Sequence, residues 1–175
     1  MARLVALLKG MNVGGNRLPV VDLRAAAEGS GFGNVRSHLA SGNLVFEAPL
    51  GGHAPALRAA LAARGLDVPV LVLPGQALRA ALAASPFAPA EGRHVHAFFL
   101  WADPVVDGAA LDALRAPTEA LGVRGRVAWL LAPEGIGRSR LAERLHRVVT
   151  GTDMTARNLN TVRALAAMVD GAGER

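Results

Sequence analysis

The sequence predicts an α+β fold: a ferredoxin-like β-α-β-β-α-β unit followed by a second, partly similar α+β subdomain. Three observations predict it. Short apolar runs lack alternation, helical stretches between them carry apolar residues on one face, and a Ser41-Gly42-Asn43 turn joins two neighbouring strands.

The elements of the first half follow in order. Residues 4–8 form an apolar strand of the kind buried on both faces. A glycine-rich loop over 9–17 leads to Pro19, which suits the first turn of a helix running to Gly29. Val20, Leu23 and Ala27 mark its inner face, and Ser30-Gly31 stops it. Strands over 35–40 and 44–48 flank the Ser41-Gly42-Asn43 hairpin, where Gly and Asn tolerate positive φ. Pro49-Leu50-Gly51-Gly52 breaks the chain before a helix over 54–64. A strand over 68–73 contains Pro69, which predicts an edge position.

A short helix over 76–84 precedes a breaker-rich linker, residues 85–93. The spacing then predicts a strand over 95–101, a helix over 108–116, and strands over 120–123 and 127–131. An amphipathic helix over 139–149 comes next, with Leu141, Leu145 and Val148 inward and an arginine stripe of Arg140, Arg144 and Arg147. Glu143 stands four residues before Arg147, the spacing of a helical ion pair. In place of a fourth strand, the second half is expected to have a loop and a last helix over 158–169. The segmentation is therefore 1–84, linker 85–93, 94–170, and a frayed tail 171–175.

Composition sets the limits. At 175 residues the chain is long enough to bury roughly two thirds of its unfolded surface. It has no cysteine, which excludes disulfides, thiolate metal sites and a cysteine nucleophile. Mean hydropathy is +0.30, but charge or Gly/Pro interrupts every apolar run before a spanning length. Residues 1–10 carry no signal-peptide pattern, and a cytoplasmic, membrane-free location is expected. The net charge of +5 is almost wholly arginine, Lys9 being the only lysine.

Topology then places the loops. A right-handed crossover makes the first two strands parallel, and the third lies between them, antiparallel to both. The loop leaving the first strand and the hairpin joining the next two therefore share one end of the sheet. Lys9, Asn12, Gly14 and Gly15 should face Ser41, Gly42 and Asn43 beside a helix N-terminus, where anions bind. Neither a P-loop ending nor a dinucleotide fingerprint is present. A purely structural alternative has the glycines turning the chain and the asparagines bonding loop backbone.

Four motifs occur in order: Gly10-Met11-Asn12-Val13-Gly14-Gly15, Ser41-Gly42-Asn43, Pro133-Glu134-Gly135-Ile136-Gly137-Arg138-Ser139, and Thr155-Ala156-Arg157-Asn158-Leu159-Asn160-Thr161. Together they resemble the bacterial family called domain of unknown function 1697, over nearly the whole chain. The resemblance implies a ferredoxin-like α+β fold with two related subdomains, and no known activity. The family usually has arginine at the place of Lys9, a threonine at Ala156 and a tryptophan at Leu159. A role that needs that hydroxyl or indole is therefore not expected here.

Other constellations are weaker. Asn158 is a natural helix N-cap, and Arg157, Asn158, Asn160 and Thr161 could add a second anion contact. His94 and His96 alternate on one strand without an evident third ligand, so no metal or other cofactor is called for. The strands of the first half offer only Phe46 for base stacking, while Phe98, Phe99, Trp101 and Trp129 suit a core. The leading expectation is a small polar or anionic ligand at 9–17 and 41–43, with or without catalysis. A self-association or protein-interaction module comes second, arginine-mediated nucleic-acid binding third.

Overall fold

The structure, a computed structural model, describes residues 1–40, 42–49 and 51–171. Ser41, Leu50 and the tail beyond Gly171 lie outside the described residues. The chain divides into two units: Met1–Ala80 together with the chain from Arg163 onward, and Ala81–Val162.

In the first unit, β1 (Ala2–Leu8) lies between β3 (Asn43–Ala48) and β4 (Val70–Pro74), and β2 (Gly33–Ser37) pairs with β3. The order β2-β3-β1-β4, with every neighbour antiparallel, is the ferredoxin-like order expected. Leu4, Val5, Ala6, Leu7 and Leu8 are all buried, which explains the missing alternation. One face carries Leu4, Ala6, Leu8, Leu44 and Phe46 against Leu23, Ala26 and Ala27 of α1 (Val20–Gly29) and Leu57 and Leu61 of α2 (His53–Ala62). Phe32 stacks on Phe46 with ring centroids 4.4 Å apart. α3 (Gly75–Ala83) follows β4 directly.

Two details shift from expectation. Pro19 sits at the N-cap of α1 rather than in its first turn. β4 is an edge strand as expected, but it begins after Pro69, whose carbonyl accepts from the Lys9 N–H at 2.9 Å.

The second unit repeats the order. β5 (Val95–Leu100) lies between β8 (Val127–Leu131) and β10 (Met154–Asn158), and β7 (Ala120–Arg124) completes the sheet β10-β5-β8-β7, again antiparallel throughout. Asp107 caps α4 (Gly108–Leu114), its carboxylate accepting from the Ala110 N–H at 3.0 Å. The two-residue strands β6 (Val105–Val106) and β9 (Val149–Thr150) form a separate ribbon. α6 (Leu159–Val169) starts in this unit and ends in the first.

Two expectations for this half are corrected. First, residues 139–149 are not one helix. α5 (Arg140–Glu143) makes one turn capped by Ser139, Arg144 leaves helical geometry, and Leu145–Arg147 continues as a 3-10 turn. The chain then pairs Val149 with Val106; a β-branched run meets a strand partner there, and the long-range ladder prevails over local helix. Leu141, Leu145 and Val148 are buried as expected, but the arginine stripe and the Glu143–Arg147 spacing lose their helical basis. Second, a fourth strand exists. β10 was hidden because its buried residues are Thr155 and Arg157, so its alternation is not apolar against polar.

Among the described residues, no helix is long and apolar enough to cross a membrane.

Candidate functional site

The strand directions do bring the first-unit loops together. The Leu8 N–H donates to the Gly42 carbonyl at 2.9 Å, and the Asn12 side-chain amide donates to the Ala40 carbonyl. A Cβ on Gly42 would lie 2.7 Å from Leu8 Cβ and 3.1 Å from Met11 Cβ, and Gly42 has φ +80°, so only glycine fits. Asn43 is fully buried and donates its side-chain amide to the His38 carbonyl at 2.9 Å. Lys9 is half-buried; Gly14 and Gly15 are exposed, both at positive φ. Within the loop, the Asn12 N–H donates to the Asn16 carbonyl at 2.7 Å. Asp22 occupies the first turn of α1, where its carboxylate already complements the helix dipole. Asn12 and Asn43 thus direct their amides at loop backbone, the structural role weighed from the sequence.

Arg157, Asn158, Asn160 and Thr161 belong to the second unit, on the end of β10 and the first turn of α6. Arg157 is buried and donates to Thr155 Oγ1 at 2.8 Å and to the Ala156 carbonyl at 2.7 Å. Burial pushes its guanidinium down to about 10, still charged at neutral pH. Asn158 Oδ1 accepts from the Thr161 N–H at 2.9 Å, the cap expected of it. Thr161 is buried and Asn160 exposed.

A cleft in the second unit joins residues that the sequence presented separately. Its volume is about 610 Å³, within the range of small-ligand sites, and Arg93, His94, His96, Glu134, Arg138 and Asn158 supply its polar lining. His96 on β5 stands directly across from Asn158 on β10. His94 ends the 3-10 turn before β5, and its carbonyl accepts from the Ala132 N–H at 2.8 Å, docking the following turn. That turn reverses through Gly135 at φ +98° and places Ile136–Arg138 over the strand ends.

The cleft is electrostatically uneven. His96 Nδ1 is buried with no hydrogen-bond partner, and burial pushes the imidazole down to about 4, so it is neutral at pH 7. Arg93 pairs with Glu91 at 2.5 Å on the exposed rim, Arg138 is exposed, and Glu134 Oε1 accepts from Thr118 Oγ1 at 3.4 Å. With the Asn158 carbonyl oxygen engaged by its cap, its amide N–H₂ is the end left for the cleft. Guanidinium, amide and imidazole groups thus line one space together with the Glu134 carboxylate. Among the described residues, no group of three or more histidines or carboxylates could hold a metal ion.

The sequence marked the His-x-His pair, the 133–139 turn and Asn158, but only β10 brings them together. Of the aromatic residues expected in the core, Trp129 is fully buried and Phe98 and Phe99 nearly so, but Trp101 lies just past the end of β5 and is only half-buried.

A solved structure of a conserved bacterial protein, SP0830 from Streptococcus pneumoniae, is similar at TM-score 0.72 and 21% identity, covering 97% of this chain and 99% of that one. At that identity the likeness concerns the fold, which it shares with this α+β chain. No protein of curated function matches. The family model described as protein of unknown function (DUF1697) matches residues 1–129. The chain belongs to that family, as its four motifs led one to expect.

Proposed function

We propose that the protein binds a small anionic ligand in the second-unit cleft. The observation that carries the reading is His96: its side chain lines a cleft that also holds Arg93 and Arg138, and its Nδ1 is buried without a hydrogen-bond partner. An unmatched buried polar atom costs stability, on the order of 1–3 kcal/mol, and a ligand that hydrogen-bonds it recovers that cost on binding. The two guanidinium groups supply charge-assisted donors suited to carboxylate or phosphate oxygens.

The first-unit loops, with Lys9, Asn12, Gly14, Gly15, Gly42 and Asn43, support a ligand less well. Their amides hold backbone carbonyls, and the helix N-terminus beside them already carries Asp22.

A thermal screen with inorganic phosphate and short carboxylates tests the proposal, because a ligand that binds only the folded state raises the midpoint by mass action. The expected result is stabilisation of the wild type and a tenfold or greater loss of affinity in Arg138→Ala, in line with about 1.5–3 kcal/mol for a charged hydrogen bond. No stabilisation by any of these anions, or equal binding by Arg138→Ala, overturns it.

A further inference from the structure

We infer that the ligand of this cleft is an amphipathic anion, its charged end at His96 and Asn158 and its apolar part along Phe98 and Ala156. This rests on the anion-binding reading above and adds the chemical class of the molecule.

The sheet register carries the argument. His96 pairs across with Asn158, and the next residues on the same face, two positions along each strand, are Phe98 and Ala156, also a cross-strand pair. Same-face neighbours on a strand lie about 7 Å apart, so a polar pair gives way to an apolar pair within the length of a small molecule. A second cleft of about 380 Å³ sits over that apolar pair, lined by Phe98, Ala156, Ala142 and Ile136 among others. Ile136 and Arg138 line both clefts, so the 136–138 turn overhangs a path running from one to the other.

The polar lining of the second cleft is Ser139 with the exposed Arg138, Arg140 and Glu143. Ser139 Oγ accepts from the Ala142 N–H at 2.9 Å, capping α5. The apolar part of the lining is an edge of the largely buried Phe98 ring together with the half-buried Ile136, Ala142 and Ala156. A ligand with charge alone would leave this apolar surface wet; one with an alkyl or aryl extension would cover it.

Calorimetric titration of the full chain with acetate, butanoate, hexanoate and octanoate, and with inorganic phosphate as the purely polar probe, tests this. A fully buried methylene raises affinity about fourfold, so a partly open cleft should give about two- to fourfold per methylene up to the cleft's length. Ala156→Leu and Ala142→Leu fill the apolar part of this cleft while leaving every arginine in place. Both should abolish the chain-length gain while leaving acetate and phosphate affinity within about twofold of wild type. Using both variants guards against one that fails to fold.

If acetate or phosphate binds but affinity does not rise with chain length, the amphipathic inference is wrong and the anion site stands. An unchanged gain in both variants likewise sinks the inference, since the chain must then lie elsewhere. If no probe binds at all, the anion site itself is refuted, and the inference falls with it.

Discussion

The two units share one strand order and the same tie between loops, yet they treat their polar residues differently. In the first unit the Leu8 N–H donates to Gly42 at the hairpin tip; in the second the Leu100 N–H donates to Arg126 at the corresponding tip, both at 2.9 Å. Each unit adds a side-chain clasp there: Asn12 to the Ala40 carbonyl in one, Arg126 to Asp103 at 2.9 Å in the other. At the opposite end of the sheets the units diverge. On β1, Arg3 pairs with Glu47 at 3.1 Å and donates to the Val169 carbonyl, and Asn34 then Arg3 hold the Glu47 carboxyl below its ordinary range. On β5, His96 faces a cleft with a buried nitrogen unmatched. At this end, then, the first unit ties its β1 arginine to partners of its own, while the second leaves a buried imidazole nitrogen of β5 without one.

The largest effect that could break this comparison is at the hairpin tips. Gly42→Ala must push Cβ into Leu8 and Met11 while holding φ +80°, and should cost about 2–4 kcal/mol in denaturant unfolding. Gly125→Ala, with φ +57° and open space around it, should cost only about 1 kcal/mol. Equal losses would mean that the first-unit tip is not packed as described.

Asn43→Ala comes next. It removes a buried side chain that satisfies the His38 carbonyl, and about 1–3 kcal/mol of stability should go with it, while phosphate affinity stays unchanged. Weaker phosphate binding in a folded Asn43→Ala protein would return the ligand to the first-unit loops.

The pH dependence of stability sharpens the contrast at the other end. His96 has a folded value of about 4 against an ordinary 6.5, so folding favours its neutral form. Its contribution is complete above pH 6.5 and is lost as pH falls toward 4, roughly 1–2 kcal/mol after allowing for partial exposure. His96→Leu should flatten that part of the curve relative to wild type in parallel unfolding titrations. Identical curves would show that His96 is not desolvated. The smallest effect belongs to Asp103→Asn at the exposed second-unit clasp, where the unfolding midpoint should barely move and added salt should erase the difference.

How much was legible follows from the same chemistry. β1 and the core faces of α1 and α2 were readable because their buried residues are apolar and their spacing is periodic. The meeting of the loops could be deduced from strand directions alone. β10 was not readable, because its buried residues, Thr155 and Arg157, are polar although they sit across from the apolar Phe99 and Ala97. The break at Arg144 was equally hidden, since the pairing of Val149 with Val106 competes from more than forty residues away. The cleft depended on both β10 and the 133–138 turn. His96 and Asn158 could be named from the sequence, but they become cross-strand partners only once the fourth strand is in place.

The most direct measurement is an amide NMR titration of the whole protein with inorganic phosphate. The account predicts shifts at Arg93, His94, His96, residues 134–138 and Asn158, saturating together and lost in Arg138→Ala, with the amides of residues 9–17, 42 and 43 unmoved. Shifts confined to those first-unit loops, or shifts in the second unit that persist unchanged in Arg138→Ala, would contradict it.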